Sequence, residues 1–137
     1  MISHQQVTTA RGSCAILCDS ISFVTENDAG EYIVCASHGG VSSGEYAARF
    51  PLGLVIFNDA GIGKDSAGIQ ALGTLQDRGI AACAVSHQTA RIGDAEDHWW
   101  NGVISHVNPN ASQEISVGMS VQRAVEVWDQ SVSSSIH

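Results

Sequence analysis

The chain has 137 residues, a formal net charge of -8, and 6 basic residues against 14 acidic ones. That length builds one domain with a core of its own, and a 44% hydrophobic content fits a folded chain rather than a disordered one. The acidic balance argues against nucleic acid as a partner, because phosphate contacts need clustered cations. No apolar run approaches the roughly 18 residues of a membrane span, and no basic-then-apolar leader opens the sequence.

Charged residues make up 15% of the chain, below the roughly 25% of an average soluble domain. A surface covered instead by Ser, Gly, Ala and Asn predicts self-association, with part of that surface buried between identical subunits. The four cysteines are Cys14, Cys18, Cys35 and Cys83. Their spacing matches no zinc motif, and Cys35 and Cys83 lie in apolar runs. They read as reduced core thiols, which places the protein in the cytoplasm.

The first ten or so residues are polar and read as a loose end or an edge, with 1–12 and 130–137 expected to be flexible. Residues 14–24 are apolar and β-rich, a first strand or strand pair. Residues 31–40 form a short buried strand that runs into Gly39-Gly40. Ser42 or Ser43 can cap a short helix that Pro51 ends. Residues 52–61 are a second buried strand. Asp65 or Ser66 can cap a helix with apolar positions at Ile69, Leu72 and Leu75, stopped by Gly79. Residues 80–87 are the third buried strand. Residues 95–107 read as a helix capped by Asp94, and residues 121–130 have helical spacing at Val121, Ala124, Val125 and Trp128. Strands apolar on both faces and separated by helices predict a single α/β domain: a mainly parallel sheet covered on two sides, three layers, Rossmann-like or flavodoxin-like in the loose sense.

Chemistry concentrates where three consecutive buried strands end. The first gives Ser37-His38-Gly39-Gly40, the second Asn58-Asp59-Ala60-Gly61-Ile62-Gly63-Lys64-Asp65, and the third Ser86-His87 followed by Ala90-Arg91-Ile92-Gly93-Asp94. In a parallel sheet all three share one edge, where α/β domains bind ligands. His38 and His87 are proton-transfer candidates, since imidazole titrates near neutrality. Asp59, with Asn58, closes a very apolar strand, an expensive place for polar groups, and can orient a histidine or polarise a water. Gly39, Gly40, Gly61 and Gly63 offer backbone amides for an anion. Lys64, the sole lysine of the chain, and Arg91 can clamp a carboxylate, with Asp94 beside them. Each has a plainer alternative: His38 bonded to backbone, Asp59 capping a turn, Lys64 in solvent, Arg91 paired with Asp94 on the surface. His106 stands in reserve, two turns from His98 on the expected helix. Adjacent Trp99 and Trp100 cannot share a helix face, so one packs inside and the other faces out.

Other chemistries fit less well. His38, Asp59, His87 and Asp94 could ligate a divalent ion, but no tight metal motif is present, so no metal is expected. The Gly61–Asp65 turn departs from a nucleoside-triphosphate loop at Asn58 and Asp65, and no dinucleotide fingerprint or Gly-x-Ser-x-Gly elbow occurs. The sequence therefore predicts an enzyme without a nucleotide cofactor. It would use acid–base chemistry on a small anionic or amide-bearing metabolite, hydrolysis first, with isomerase or lyase chemistry or a metabolite-binding regulatory domain as alternatives.

Overall fold

The computed structural model describes residues 4–135. Among these, six strands form one sheet: β1 (His4–Thr8), β2 (Cys14–Cys18), β3 (Tyr32–His38), β4 (Leu54–Asn58), β5 (Ala82–Val85) and β6 (Ile104–Val107). The α-helices are α1 (Val41–Ala47), α2 (Gln70–Asp77), α3 (Ala95–Asn101) and α4 (Val121–Ser135). Strands β2 to β5 run parallel, while β1 and β6 close the two edges antiparallel. The protein is an α/β domain with a mostly parallel sheet. Its strand order is β1-β2-β3-β4-β5-β6. That order advances one position at a time, without the reversal that opens a crevice in doubly wound sheets.

The parallel strands are mostly apolar because residues on both of their faces are buried. Leu17, Val34, Ile56 and Val85 join one buried cluster with Trp99 of α3 and Val121 and Val125 of α4. Their neighbours in sequence, Cys18, Ile33, Phe57 and Ala84, join a second cluster with Ala47 of α1 and Leu72 and Leu75 of α2. This two-residue alternation is the pleat of each strand read out as packing. Helix α1 can lie against α2 only because residue 44 is glycine: a Cβ there would stand 2.8 Å from Ala71 Cα.

Several elements differ from the sequence reading. The 14–24 segment is strand β2 followed by a 3₁₀ turn at Ile21–Phe23. Helix α1 begins after Gly40, without a side-chain cap from Ser42 or Ser43. Asp65 and Ser66 do not cap a helix; they take left-handed φ of 57° and 59° inside a kinked turn ahead of α2. The expected helix over 95–107 stops at Gly102, whose amide closes the last turn on His98 O at 3.0 Å. Beyond it, Val103 to Val107 carry the β-branched side chains of an edge strand, and β6 pairs with β5. His98 and His106 therefore share no helix face. Trp99 is buried and Trp100 is 72% exposed.

Described residues near both ends belong to regular elements. Residues 4–8 form edge strand β1. Helix α4 continues past residue 130 to Ser135, tied to the sheet by Tyr32 Oη–H donating to Asp129 Oδ1 and Trp128 Nε1–H donating to Gly53 O. Residues 1–3 and 136–137 lie outside the described residues.

Candidate functional site

The tips of β3, β4 and β5 lie side by side. His38 pairs in register with Asn58, and Asn58 with Val85, so His38, Asp59 and His87 all leave the same edge of the sheet. Asp59 organises the larger group. Its side chain is only 6% exposed. Oδ1 accepts the Gly61 amide at 2.8 Å, the His87 amide at 3.1 Å and the His87 Nδ1–H at 3.3 Å. Oδ2 accepts the Ser105 hydroxyl at 2.8 Å. Burial alone would raise the Asp59 carboxyl, but these donors outweigh it and hold the pKa below its ordinary value.

Nothing in the sequence marks Ser105, and His106 reads there only as a reserve candidate. Both reach Asp59 through a register shift between β5 and β6, where Val85 opposes Ile104 and Ala84 opposes His106. The extra residue is Ser105. Such a bulge re-aims side chains at a sheet rim. His106 Nδ1 stands 3.0 Å from Ser105 Oγ and 4.0 Å from Asp59 Oδ2. The signal was present as Val-Ile-Ser-His-Val, a β-branched run that only reads as a strand once Gly102 is taken as the helix stop.

In a neutral His87 ring whose Nδ1–H turns to Asp59, Nε2 is left as the acceptor, the tautomer a general base requires. The ring is half exposed and packs over Gly61, where a Cβ would come within 3.6 Å of it.

His38 is not part of the Asp59 hydrogen-bond network. Its Nδ1 accepts the Gly40 amide at 3.2 Å. It lines a separate hollow of about 500 Å³ at the β2 and β3 tips, together with Asp19, Ser42, Tyr46 and Ile92.

The expected substrate-binding residues divide. Asn58 is fully buried and acts within the fold: Nδ2–H donates to Ala90 O at 3.0 Å and to His98 Nε2 at 3.1 Å, and Oδ1 accepts the Ala60 amide at 2.8 Å. His98 in turn donates Nδ1–H to Asp94 O at 2.8 Å, and burial holds its pKa below the usual histidine value. The glycine amides are already engaged. Gly39 N–H donates to Asn58 O, Gly40 to His38, Gly61 to Asp59 and Gly63 to Gly61 O. Asp94 caps α3 by accepting the Asp97 amide at 3.1 Å. Arg91 is exposed, and its own amide donates to Asp97 Oδ2. Lys64 is exposed on the loop after β4.

That loop is strained. Ala60, Gly61, Ile62 and Gly63 all take positive φ, from 51° to 74°. A left-handed β-branched residue such as Ile62 costs on the order of 1–2 kcal/mol. The turn is held by Ile62 N–H to Asp59 O and Gly68 N–H to Ile62 O, both 2.6 Å. A Cβ on Gly68 would collide with Asp59 O, so only glycine fits there.

No protein-family model, curated protein or solved structure matches the chain. Among the described residues, no three His, Cys, Asp or Glu side chains converge to hold a metal ion. The four cysteines are free thiols, with burial pushing Cys18 and Cys35 up to about 12. No helix among the described residues is long and apolar enough to cross a membrane.

Proposed function

We propose that the protein is a small-molecule hydrolase in which His87 is the general base and Asp59 holds it in the working tautomer. The observation that carries this reading is the buried Asp59 carboxylate, which accepts the His87 ring on one oxygen and the Ser105 hydroxyl on the other. In the proposed reaction His87 Nε2 takes a proton from water as the oxygen adds to a substrate carbonyl. Asp59 stabilises the imidazolium so formed. The same proton then passes to the leaving nitrogen or oxygen, releasing a carboxylic acid and an amine or alcohol. His106 adds a second imidazole to the same carboxylate through Ser105. An amide-bearing substrate suits the site better than a strongly anionic one, because Asp59 stays charged and the nearby glycine amides are engaged. Lys64 and Arg91, exposed on the flanking loops, are the groups left to meet any anionic end.

A panel of small amides, p-nitroanilides and p-nitrophenyl esters tests this reading. Turnover by the wild type should fall about 100-fold or more in His87→Gln and Asp59→Asn, the usual worth of a positioned base. A wild type that cleaves nothing in the panel, or a His87→Gln variant with unchanged kcat/KM, rejects it.

We further infer that the protein works in a reducing compartment and self-associates. Four free thiols support the first inference. Exposed Trp100, Val117 and Ile92 support the second. Sedimentation equilibrium decides it: a monomer at 100 μM (roughly the working concentration for such a measurement) excludes a stable oligomer.

A further inference from the structure

The hollow at the β2 and β3 tips carries polar chemistry that the Asp59 group does not use. Because the Gly40 amide donates to His38 Nδ1, the neutral ring carries its proton on Nε2 and offers a donor to the hollow. Asp19 offers an acceptor. Its Oδ1 takes the Ala95 amide at 3.0 Å, and among the described residues no donor meets its second oxygen. Ser42 adds an exposed hydroxyl. Ser20, Ser22, Ser37 and Ser43 also border the hollow, and its apolar wall is Ile21, Ile92 and the ring of Tyr46, which is fixed because its hydroxyl donates to Val24 O at 2.8 Å.

No singly charged group satisfies this lining at both ends. Among the described residues no Lys or Arg borders the hollow, so an anion would meet the Asp19 carboxylate without a counter-charge. A cation would pair with Asp19 but leave the His38 Nε2–H without an acceptor. A hydroxyl group satisfies both sides, since it donates to one and accepts from the other. Carbon-bound hydrogens of the same molecule suit the apolar walls. We propose that this hollow binds a small uncharged polyhydroxyl compound, such as a monosaccharide, between the Asp19 carboxylate and the His38 imidazole. The site does not depend on the hydrolase reading, because His38 takes no part in the Asp59 network.

The test is a ¹H–¹⁵N NMR titration of the full chain with D-ribose, D-glucose and glycerol, alongside acetate, phosphate and ethylammonium as charged probes. At least one polyol should give saturating shifts at Asp19, Ser42 and Gly93, and the charged probes should give none there. Asp19→Asn keeps an oxygen for the Ala95 amide and turns an amino group to the hollow, so affinity should fall ten-fold or more. Gly40→Ala should do the same from the other side, since its Cβ would stand 2.8 Å from His38 Nδ1 and displace the ring. No saturating polyol shift at these residues in the wild type overturns the proposal. So does equal binding of a charged probe, or wild-type affinity in a folded Asp19→Asn chain. Binding is read here without turnover, so a failed hydrolysis panel leaves this outcome separate.

Discussion

The Ser105 hydroxyl donates to Asp59 Oδ2 at 2.8 Å across 46 residues of sequence. Neither residue alone makes this contact possible. It exists because a bulge shifts the β5–β6 register and turns Ser105 toward the β4 tip. Ser105→Ala should therefore raise the Asp59 pKa toward its ordinary value and cost about 1.5–3 kcal/mol, the range for a hydrogen bond to a charged group. Carboxyl titration by NMR and urea unfolding measure the two effects. An unchanged Asp59 titration would show that the hydroxyl adds nothing to the carboxylate.

Asp59 also sets an acid limb. Its native pKa lies below the ordinary 3.8, so the unfolded chain binds its proton first as pH falls. The stabilisation is fully present above 3.8 and is lost as pH drops from there through the depressed native value. Asp59→Asn should be less stable at pH 7 and should show a flatter loss of stability below pH 4 (roughly, by linkage). Parallel urea curves at several pH values for the two proteins check this. Equal slopes would remove Asp59 from the acid response.

The buried Asn58–His98 pair gives a second pH dependence at higher pH. His98 titrates below 6.5 in the folded state, because burial disfavours its charged form. The unfolded chain takes up that proton first, so stability should decline as pH falls below 6.5. Asn58→Leu leaves His98 Nε2, Ala90 O and the Ala60 amide without their partner. A loss of about 2–4 kcal/mol is expected, chiefly from the two fully buried groups among these, His98 Nε2 and Ala90 O. Thermal unfolding at pH 7.5 measures it, and a Tm within a degree or two of the wild type would contradict it.

The left-handed loop after β4 gives a prediction of opposite signs. Gly68→Ala drives a Cβ into Asp59 O and should cost about 3 kcal/mol or more. Ile62→Gly relieves a residue at φ 67° and should be neutral or stabilising by up to about 1 kcal/mol. If both variants unfold alike, the loop does not carry the strain assigned to it.

The sequence shows the parallel strands clearly because their apolar runs are covered on both faces and end in Gly-rich turns. The shared edge of His38, Asp59 and His87 follows from those runs once the strands are parallel neighbours. The β5–β6 relationship is hidden. Ser105 and His106 reach Asp59 through a register shift, which leaves no mark in periodicity, and Gly102 sits inside what reads as one helix. The engagement of the glycine amides is equally invisible, because an N–H that meets His38 or Asp59 looks in sequence like one open to a ligand. Asn58 reads as a site residue for the same reason: a buried polar group at a strand end is costly, and only the coordinates show that His98 and Ala90 satisfy it.

The sheet order has a consequence for biogenesis. Each strand docks beside the one made just before it, so a nascent chain can extend the sheet progressively as it leaves the ribosome, without waiting for a distant segment to insert. The Asp59 centre matures late on that schedule. Its carboxylate emerges with β4, yet the hydroxyl that completes its second oxygen arrives only with the final edge strand.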